Sequence, residues 1–428
     1  MGAFARAGAR PRLALATALL AGSFVGAPAQ EVLTLDVCLA TASRGNPGLA
    51  AARAAVEKAF FARRASYGEF LPQVSAEASA ARRRAEDDSG AAETESDAYG
   101  LSARQTLFAG GRNRAALDEA TAAWRLAEAD LSAAEAQVTY DVRSAFADLL
   151  FAGEQMRLAR EIENRQRDNR DLLRLRYEGG RENKGAVLRT EAFLREAEAD
   201  VALAGRSLRV SRRKLATVLG RSSGEALDIR GVLAAAGRPA MMDVEPFVEA
   251  TPEHRRAQAD LDAAKARLAS ARSRFYPEVA AEGSVSRTGE RWMPEHDAWI
   301  AGISLSYPLF SGGRDVMDSR GAQAEVNQAE HAIRAADAAA ALALDQALAD
   351  HEEAADRASV ETGFLEAAAV RAEVARAQYD AGLMTFDEWD RIERELTDRR
   401  KSELAARKRS VLARANWEKT QGLSGLPP

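Results

Sequence analysis

The sequence predicts a mainly α-helical protein with a smaller β part, built from two similar halves that each combine a β-hairpin with a long helical hairpin. Three observations predict this fold class. The chain carries an internal duplication, it contains two long stretches without proline, and two shorter segments alternate apolar with polar residues, which is the period of a strand.

The duplication is visible in one motif that occurs twice, TLFAGGR at 106–112 and PLFSGGR at 308–314. A shift of 202 positions relates four pairs of residues: Gly110 and Gly312, Gly111 and Gly313, Tyr177 and Tyr379, and Gly180 and Gly382. Upstream, a shift of 205 positions takes Pro72 onto Pro277. A register held over so many positions indicates two copies of one structural unit.

The first residues have the composition of a secretory signal. Three arginines precede an apolar run over 13–25, and Ala-Pro-Ala at 27–29 supplies small residues for cleavage, so 1–29 is predicted to be a signal peptide. The apolar run is shorter than the roughly 20 residues that a membrane-spanning helix needs. Removing those three arginines changes the formal net charge from −5 to −8. An acidic exported chain is not expected to bind nucleic acid.

Cys38 is the only cysteine, so no internal disulfide is expected. Two interpretations remain for it, an inert thiol in the first helix and a lipidated N-terminus. The first is favoured because Asp36 and Val37 directly precede this cysteine and the apolar run ends about a dozen residues earlier, at residue 25.

Proline marks where the long helices are expected, because it costs about 3 kcal/mol in a helix interior. The two stretches without proline are 73–238 and 309–426, and both are rich in Ala, Leu, Glu and Arg. Each contains a predicted helical hairpin, at 113–220 and at 315–422, that turns at the glycines near Gly180 or Gly382. Apolar residues spaced by four and three, such as Val138, Val142, Ala145 and Leu149, predict coiled-coil packing between these helices.

Two β-hairpins are predicted, at 72–108 and 277–310, closed by the polar loops 85–97 and 287–296. Pro72 and Pro277 mark the joints from helix to strand, since the first residue of a strand tolerates proline. The joints from strand to helix are the paired glycines Gly110, Gly111, Gly312 and Gly313. A sharp change of direction there is expected to need positive φ, which glycine adopts without penalty.

The alternation of the strands fits either a half-buried soluble sheet or a sheet in a membrane. Export, strands of at least the 9–11 residues that cross a bilayer, and aromatic residues near the strand ends favour the membrane. The predicted membrane-interface aromatics are Tyr99, Phe108, Trp299, Tyr307 and Phe310. Four strands do not close a barrel, and lipid does not tolerate open edges, so we expect the barrel to be shared among subunits.

The predicted organisation is therefore a first repeat over 30–220, an equatorial linker over 221–250, a second repeat over 251–422 and a C-terminal tail over 423–428. The linker contains Pro239 and Pro246 and has no clear period.

The sequence resembles the TolC family of outer membrane efflux channels. The resemblance rests on the segment around Asn46-Pro47, on LFAGGR and LFSGGR, and on RYEGGRENKGAVLRTE and QYDAGLMTFDEWDRIE, in which a tyrosine precedes a glycine by three residues. It implies a homotrimer whose twelve strands close one β-barrel in the outer membrane, continued by an α-helical barrel in the periplasm. It also implies a passive exit duct of a tripartite efflux or type I secretion system.

The same resemblance implies that the hairpin tips contact a periplasmic adaptor that serves an inner-membrane pump. The tip residues concerned are Tyr177, Gly180, Tyr379, Gly382 and Leu383. Family members carry acidic residues after the second tip that ring the closed entrance. Here the corresponding candidates for a periplasmic gate are Asp387, Glu388 and Asp390, although Arg391 replaces one expected acid. An alternative role for these acids is to complement the dipole of their helix.

Other functions are less well supported by the sequence. Four histidines lack the spacing of metal ligands, and HEEAA at 351–355 lacks the second histidine of a zincin motif. Neither an enzyme activity nor a cofactor is therefore expected. A periplasmic coiled-coil adaptor or scaffold is the alternative. Short, polar residues on the predicted lumen face suit a wide conduit for drugs, metal ions, small metabolites or secreted protein.

Overall fold

Two helices of 67 residues each dominate the computed structural model. The structure describes residues 32–87, 90–222, 227–240, 242–290 and 295–427, and the predicted signal peptide 1–29 lies outside them. The first half contains β1 Val32–Leu33, α1 Leu35–Gly45, α2 Pro47–Ser66, a 3₁₀ turn Tyr67–Phe70, β2 Gln73–Asp87, β3 Gly90–Ala109, α3 Arg112–Glu178 and α4 Lys184–Val218. The second half contains β4 Asp228–Ile229, α5 Glu245–Val248, α6 Pro252–Ser273, β5 Glu278–Gly289, β6 His296–Ser306, α7 Arg314–Asp380 and α8 Phe386–Thr420.

The duplication is retained in the backbone. α3 and α7 begin 202 residues apart, and so do α4 and α8, which are 35 residues long each. The described glycines with positive φ form four pairs with the same separation: Gly110 and Gly312, Gly111 and Gly313, Gly180 and Gly382, and Gly220 and Gly422. The conformation of the joints is therefore that expected from the sequence. Glycine is needed because this φ is strained for residues with a Cβ atom.

Local signals account for the helix ends. Asn46, Asn183, Thr251 and Thr385 are N-caps whose side chains accept a hydrogen bond from the backbone three residues later. α3 and α7 end in turns in which the N–H of the residue after a positive-φ glycine donates to the carbonyl five residues earlier. These bonds run from Arg181 N to Arg176 O at 2.8 Å and from Leu383 N to Gln378 O at 2.9 Å.

The four long strands form an antiparallel sheet in the order β2-β3-β5-β6. β2 and β3 pair as far as Asp87 and Gly90, so the loop expected over 85–97 is wrong in extent. One cross-strand ion pair supports the extended pairing. The Arg82 guanidinium and the Glu95 carboxylate, which are direct cross-strand partners, are 2.5 Å apart.

The helices lie side by side in the same order as the strands to which they connect. α2 leads into β2, β3 into α3, α6 into β5, and β6 into α7. Near the sheet, α3 packs between α2 and α6, and α7 packs against α6. Farther away, α3 packs between α4 and α8, and α7 packs against α8. Four elements therefore stand side by side at each level of the chain.

The largest apolar core lies where α1, α3 and α4 meet, and it includes Leu39, Val142, Phe146, Leu215 and Leu219. The region predicted as an equatorial linker supplies β4, which pairs in parallel with β1, and the short helix α5. The tail returns to the same core, because the Gly425 N–H donates to the Thr139 hydroxyl at 3.2 Å. Across the described ranges, none of the helices has the length and apolar character to cross a membrane.

Candidate functional site

One face of the sheet is apolar in the part nearer the helices, and beyond Trp299 it carries the ion pair between Arg287 and Asp297. Cross-strand partners point to the same side of a sheet, so Trp299, Val285 and Leu101 share a face with Ala76. This face continues towards the helices through Ala301, Ile303 and Leu305. Its large side chains, namely Val74, Leu101, Val285, Trp299, Ile303 and Leu305, are all exposed in the single chain. An apolar face of this extent is typical of a sheet that contacts lipid.

The opposite face is polar and internally hydrogen-bonded. The hydroxyls of Ser75 and Ser102 lie 2.7 Å apart across β2 and β3. The Arg104 guanidinium donates to Glu282 at 2.5 Å and to Glu278 at 3.3 Å, both on β5. Ile300 is an exception on this face. A polar face opposite an apolar one is the arrangement of a strand between lipid and a water-filled lumen.

Aromatic residues surround the joints between sheet and helices. The predicted residues Phe108, Tyr307 and Phe310 are exposed there, Phe310 to 86%. Sequence analysis missed Phe70, Phe275 and Tyr276, which are also exposed at the joints. Phe70 and Phe275 could have been identified from the sequence, because the shift of 205 positions relates one to the other. Trp299 lies near the other end of the apolar face, whereas Tyr99 lies inside β3 because that strand extends farther than expected.

The two strand-to-helix joints differ in their surroundings. A Cβ atom added to Gly110 would lie 2.5 Å from the Ser273 carbonyl oxygen and 2.7 Å from the Tyr276 Cβ. A Cβ atom at the equivalent Gly312 would meet no described atom within 4 Å. Both joints need a positive φ, but only the first also needs glycine for close packing. Pro72 and Pro277 each directly precede a strand.

The tips of the helical hairpins are unequal. At the first tip Tyr177 is 43% exposed, whereas the equivalent Tyr379 of the second tip is 3% exposed. Gly180 and Gly382 make the same turn, with φ of 66° and 74°. Leu383, directly after the second turn, is 80% exposed. Tyr177 and Leu383 are therefore exposed at the tip end of the molecule, whereas Tyr379 is buried.

Tyr379 is buried in an aromatic cluster with Phe386 and Trp389. Its ring stacks on that of Trp389 with centroids 4.7 Å apart, and Phe386 contacts both rings edge to face. The Arg176 guanidinium of the first hairpin lies 4.6 Å from the centroid of Tyr379. Burial raises the pKa of the Tyr379 hydroxyl. The first tip has Lys184 and Val187 at the positions equivalent to Phe386 and Trp389, so this cluster belongs to the second tip alone.

The three candidate gate acids have three different environments. Asp387 is exposed and pairs with Arg189 of α4. Glu388 completes a capping box, accepting from the Thr385 hydroxyl at 2.8 Å and from the Thr385 N–H at 3.1 Å. These bonds lower the pKa of Glu388. Asp390 is only 4% exposed and pairs with Arg394 one turn later.

The structure therefore does not unite the three acids in one exposed group. Asp390 is buried and pairs with Arg394, which lies four residues later on the same face of α8. Glu388 serves the alternative role of completing the helix start. Asp387 is the acid that remains at the surface.

Cys38 lies in the core of α1 with no exposed surface, and burial raises the pKa of its thiol to about 11. A buried and protonated thiol is unreactive. His351 is also buried, in α7, and burial lowers the pKa of its imidazole. Over the described ranges, no three His, Cys, Asp or Glu side chains are grouped as metal ligands would be.

Comparison with known proteins agrees with this geometry. A family model described as outer membrane efflux protein matches residues 39–221 and 249–422. The fusaric acid resistance protein FusA of Burkholderia cepacia is 26% identical over 299 residues, which cover 65% of this chain and 56% of that protein. The chain spans about half the length of the curated relatives it matches.

Solved structures share the fold. A membrane protein from Pseudomonas aeruginosa superposes with a TM-score of 0.81 at 18% identity, covering 90% of this chain and 93% of that one. The MtrE outer membrane channel of Neisseria gonorrhoeae, in its open state, superposes with a TM-score of 0.79 at 22% identity, covering 91% and 88%. Because the family model matches most of both halves, the chain belongs to the outer membrane efflux protein family.

Proposed function

We propose that three copies of this chain form a closed channel-tunnel in the outer membrane, which acts as the exit duct of an efflux system. The observation that carries the proposal is that the edge strands of the sheet and the outermost helices lie on the same two sides of the chain. β2, α2 and α4 form one edge of the chain, and β6 and α7 form the other.

Neither edge is stable alone in a membrane. The edge strands β2 and β6 each present unpaired backbone groups, and in lipid every such group needs a partner. Pairing β6 of one copy with β2 of the next satisfies both edges at once. The same step brings α7 against α2 and α4. It covers exposed apolar residues of α4, including Leu188 and Val210, and of α7, including Val360 and Val370. With four strands from each copy, three copies give a barrel of twelve strands.

The outer membrane location agrees with the family and with the two faces of the sheet. A periplasmic adaptor or scaffold, the alternative function, would not require an apolar sheet face bordered by exposed aromatic residues. The helices extend from the sheet into the periplasm by about 100 Å, the length of a 67-residue helix. Transport through the lumen is passive in this proposal, and the short polar and paired charged residues of the lumen face suit a water-filled conduit.

The partners we propose are a periplasmic adaptor and an inner-membrane pump. The tips are the proposed contact with the adaptor, since Tyr177 and Leu383 are exposed at the end farthest from the sheet. The name of the Burkholderia relative, a resistance protein, favours efflux over protein secretion as the system served. At the same end, Asp387 is the proposed acid of the periplasmic gate, where trimerisation places one copy from each subunit.

Two measurements test the proposed function. Mass measurement of the protein in mild detergent is expected to give a trimer, and the same preparation is expected to conduct ions in a planar bilayer. A stable monomer that conducts would contradict the shared barrel. A trimer that fractionates with the periplasm and does not insert into bilayers would instead favour an adaptor or scaffold.

A further inference from the structure

A charged groove lies directly below the sheet, between α2, α3 and α6. It encloses about 460 Å³ and is lined by four basic side chains, Arg63, Arg114, Arg125 and Lys265, and by two carboxylates, Asp118 and Asp262. The groove therefore carries an excess of two positive charges. The tips and the gate are at the opposite end of the molecule, so this groove has no part in either.

Ion pairs within the groove account for two of its four cations. Arg114 pairs with Asp118 at 3.1 Å, and Arg125 pairs with Asp262 at 2.9 Å. Within the described ranges, neither Arg63 nor Lys265 has a carboxylate within 4.0 Å. The Arg63 guanidinium is held over the ring of Trp124, 5.0 Å from its centroid, and its Nε has no hydrogen-bond partner. One oriented guanidinium and one ammonium are thus left to bind an anion.

The position of the groove indicates where that anion comes from. Tyr67 lines the groove, and Phe70 and Leu71, which follow it, are 44% and 62% exposed immediately before β2 begins. Arg63 precedes Phe70 by seven residues, about 10 Å along the chain axis. Long basic side chains extend their charge towards an interface from such a depth. The groove thus lies at the level of the headgroups of the periplasmic leaflet, beside apolar residues that suit acyl chains.

We propose that this groove binds the phosphate of an anionic phospholipid of the periplasmic leaflet. Arg63 and Lys265 bind the phosphate oxygens, while Arg114 and Arg125 remain in their ion pairs and shape the walls. The exposed Phe70 and Leu71 contact the acyl chains. The lipid then fastens the helix-to-strand joint of the first repeat to the membrane surface. The proposal rests on the proposed placement of the sheet in the outer membrane.

Native mass spectrometry of the detergent-solubilised protein tests this site. Phosphatidylglycerol is added to the wild type, to Lys265→Gln and to Arg63→Gln/Lys265→Gln. We expect each cation to contribute to lipid affinity as a basic residue does at a membrane surface. The affinity for phosphatidylglycerol should then fall about fivefold in the single variant and roughly 25-fold in the double variant. The double variant also loses the contact between Arg63 and Trp124, which could affect its folding. The single variant avoids this problem, because Lys265 is exposed and has no ion pair within the described ranges.

The matched control is Lys58→Gln/Arg255→Gln, which removes one exposed cation from each of α2 and α6 outside the groove. It is expected to retain phosphatidylglycerol as the wild type does. Equal weakening in the control would overturn the site, and so would wild-type retention in both groove variants.

Two further ligands distinguish a lipid phosphate from a soluble phosphate ester. Phosphatidylcholine and glycerol 3-phosphate are expected to be retained less than phosphatidylglycerol. Retention of glycerol 3-phosphate as strong as that of the lipid would overturn the lipid source and assign a soluble phosphate ester. A trimer that conducts normally but retains none of these probes would overturn the site and leave the proposed channel function intact.

Discussion

The ring of Tyr379 lies parallel to the indole of Trp389, with the ring planes at 6° and the centroids 4.7 Å apart. This stack joins the last turn of α7 to the first turns of α8, and Leu173 and Ala186 of the first hairpin pack on the same cluster. Among the residues that the structure describes, the equivalent Tyr177 has no such aromatic partner, and its ring is exposed. One position of the repeat unit therefore has a structural role in the second half and a surface role in the first.

The first prediction uses this pair of tyrosines as its own control. Tyr379→Ala removes a buried ring from the cluster, and we expect a loss of roughly 3 kcal/mol in the stability of the tip. Tyr177→Ala removes an exposed ring, and we expect less than about 1 kcal/mol. Thermal unfolding in detergent, with hydrogen exchange of the amides around Leu173 and Trp389, measures both. Equal effects of the two changes would show that the cluster does not stabilise the tip.

The second prediction concerns the joints from strand to helix. Gly111 and Gly313 have φ of 87° and 81°, a conformation that a β-branched residue adopts only with strain. Gly111→Val and Gly313→Val are each expected to reduce the amount of trimer in the outer membrane. Gly363→Ala, a change inside α7 where an added Cβ meets no described atom within 4 Å, is the control and is expected to leave the yield unchanged or raised. Equal yields of all three proteins would contradict a special role for the joints.

The third prediction concerns the pH dependence of the capping box. Hydrogen bonds from the Thr385 hydroxyl and backbone N–H lower the pKa of Glu388 in the folded state. Its contribution to stability is therefore complete above the ordinary carboxyl pKa and is lost as the pH falls through the lowered value. Glu388→Ala is expected to lower the melting temperature at neutral pH. As the pH falls below the ordinary carboxyl pKa, the melting temperature of this variant is expected to decrease less than that of the wild type.

The control for that experiment is Glu373→Gln, which changes an exposed acid of α7 that has no ion pair within the described ranges. Its melting curve is expected to follow that of the wild type at each pH. A decline with pH in Glu388→Ala as steep as that of the wild type would show that the capping box does not titrate with folding.

The fourth prediction concerns the mouth of the channel. Asp387→Asn removes the exposed carboxylate that pairs with Arg189, and we expect weaker cation selectivity and weaker block by multivalent cations. Arg189→Gln leaves that carboxylate unpaired, so its effect on selectivity is expected to be opposite. Reversal potentials with unequal salt across a planar bilayer measure both. Unchanged selectivity in both variants, with only a lower melting temperature, would assign the pair to tip stability alone.

Local features of this fold were predictable from the residues that form them. The positions of Pro72 and Pro277, the paired glycines and the tyrosines of the tips were enough to locate the joints and the hairpin turns. Proline and glycine act through the φ angles of their own residues, so their effect does not depend on distant contacts. The long helices were likewise predictable, because 67 residues of one period contain few interruptions.

The environments of the candidate residues depended on contacts between distant parts of the chain. Asp387, Glu388 and Asp390 are almost adjacent in sequence, yet Arg189 of another helix pairs with the first, a capping box binds the second and the packing of α8 buries the third. Tyr177 and Tyr379 share a motif but differ in burial, because Phe386 and Trp389 have no aromatic counterparts in the first repeat. Duplication preserves backbone conformation, which is a local property, whereas burial and charge pairing depend on which side chains meet, and those have diverged between the two halves.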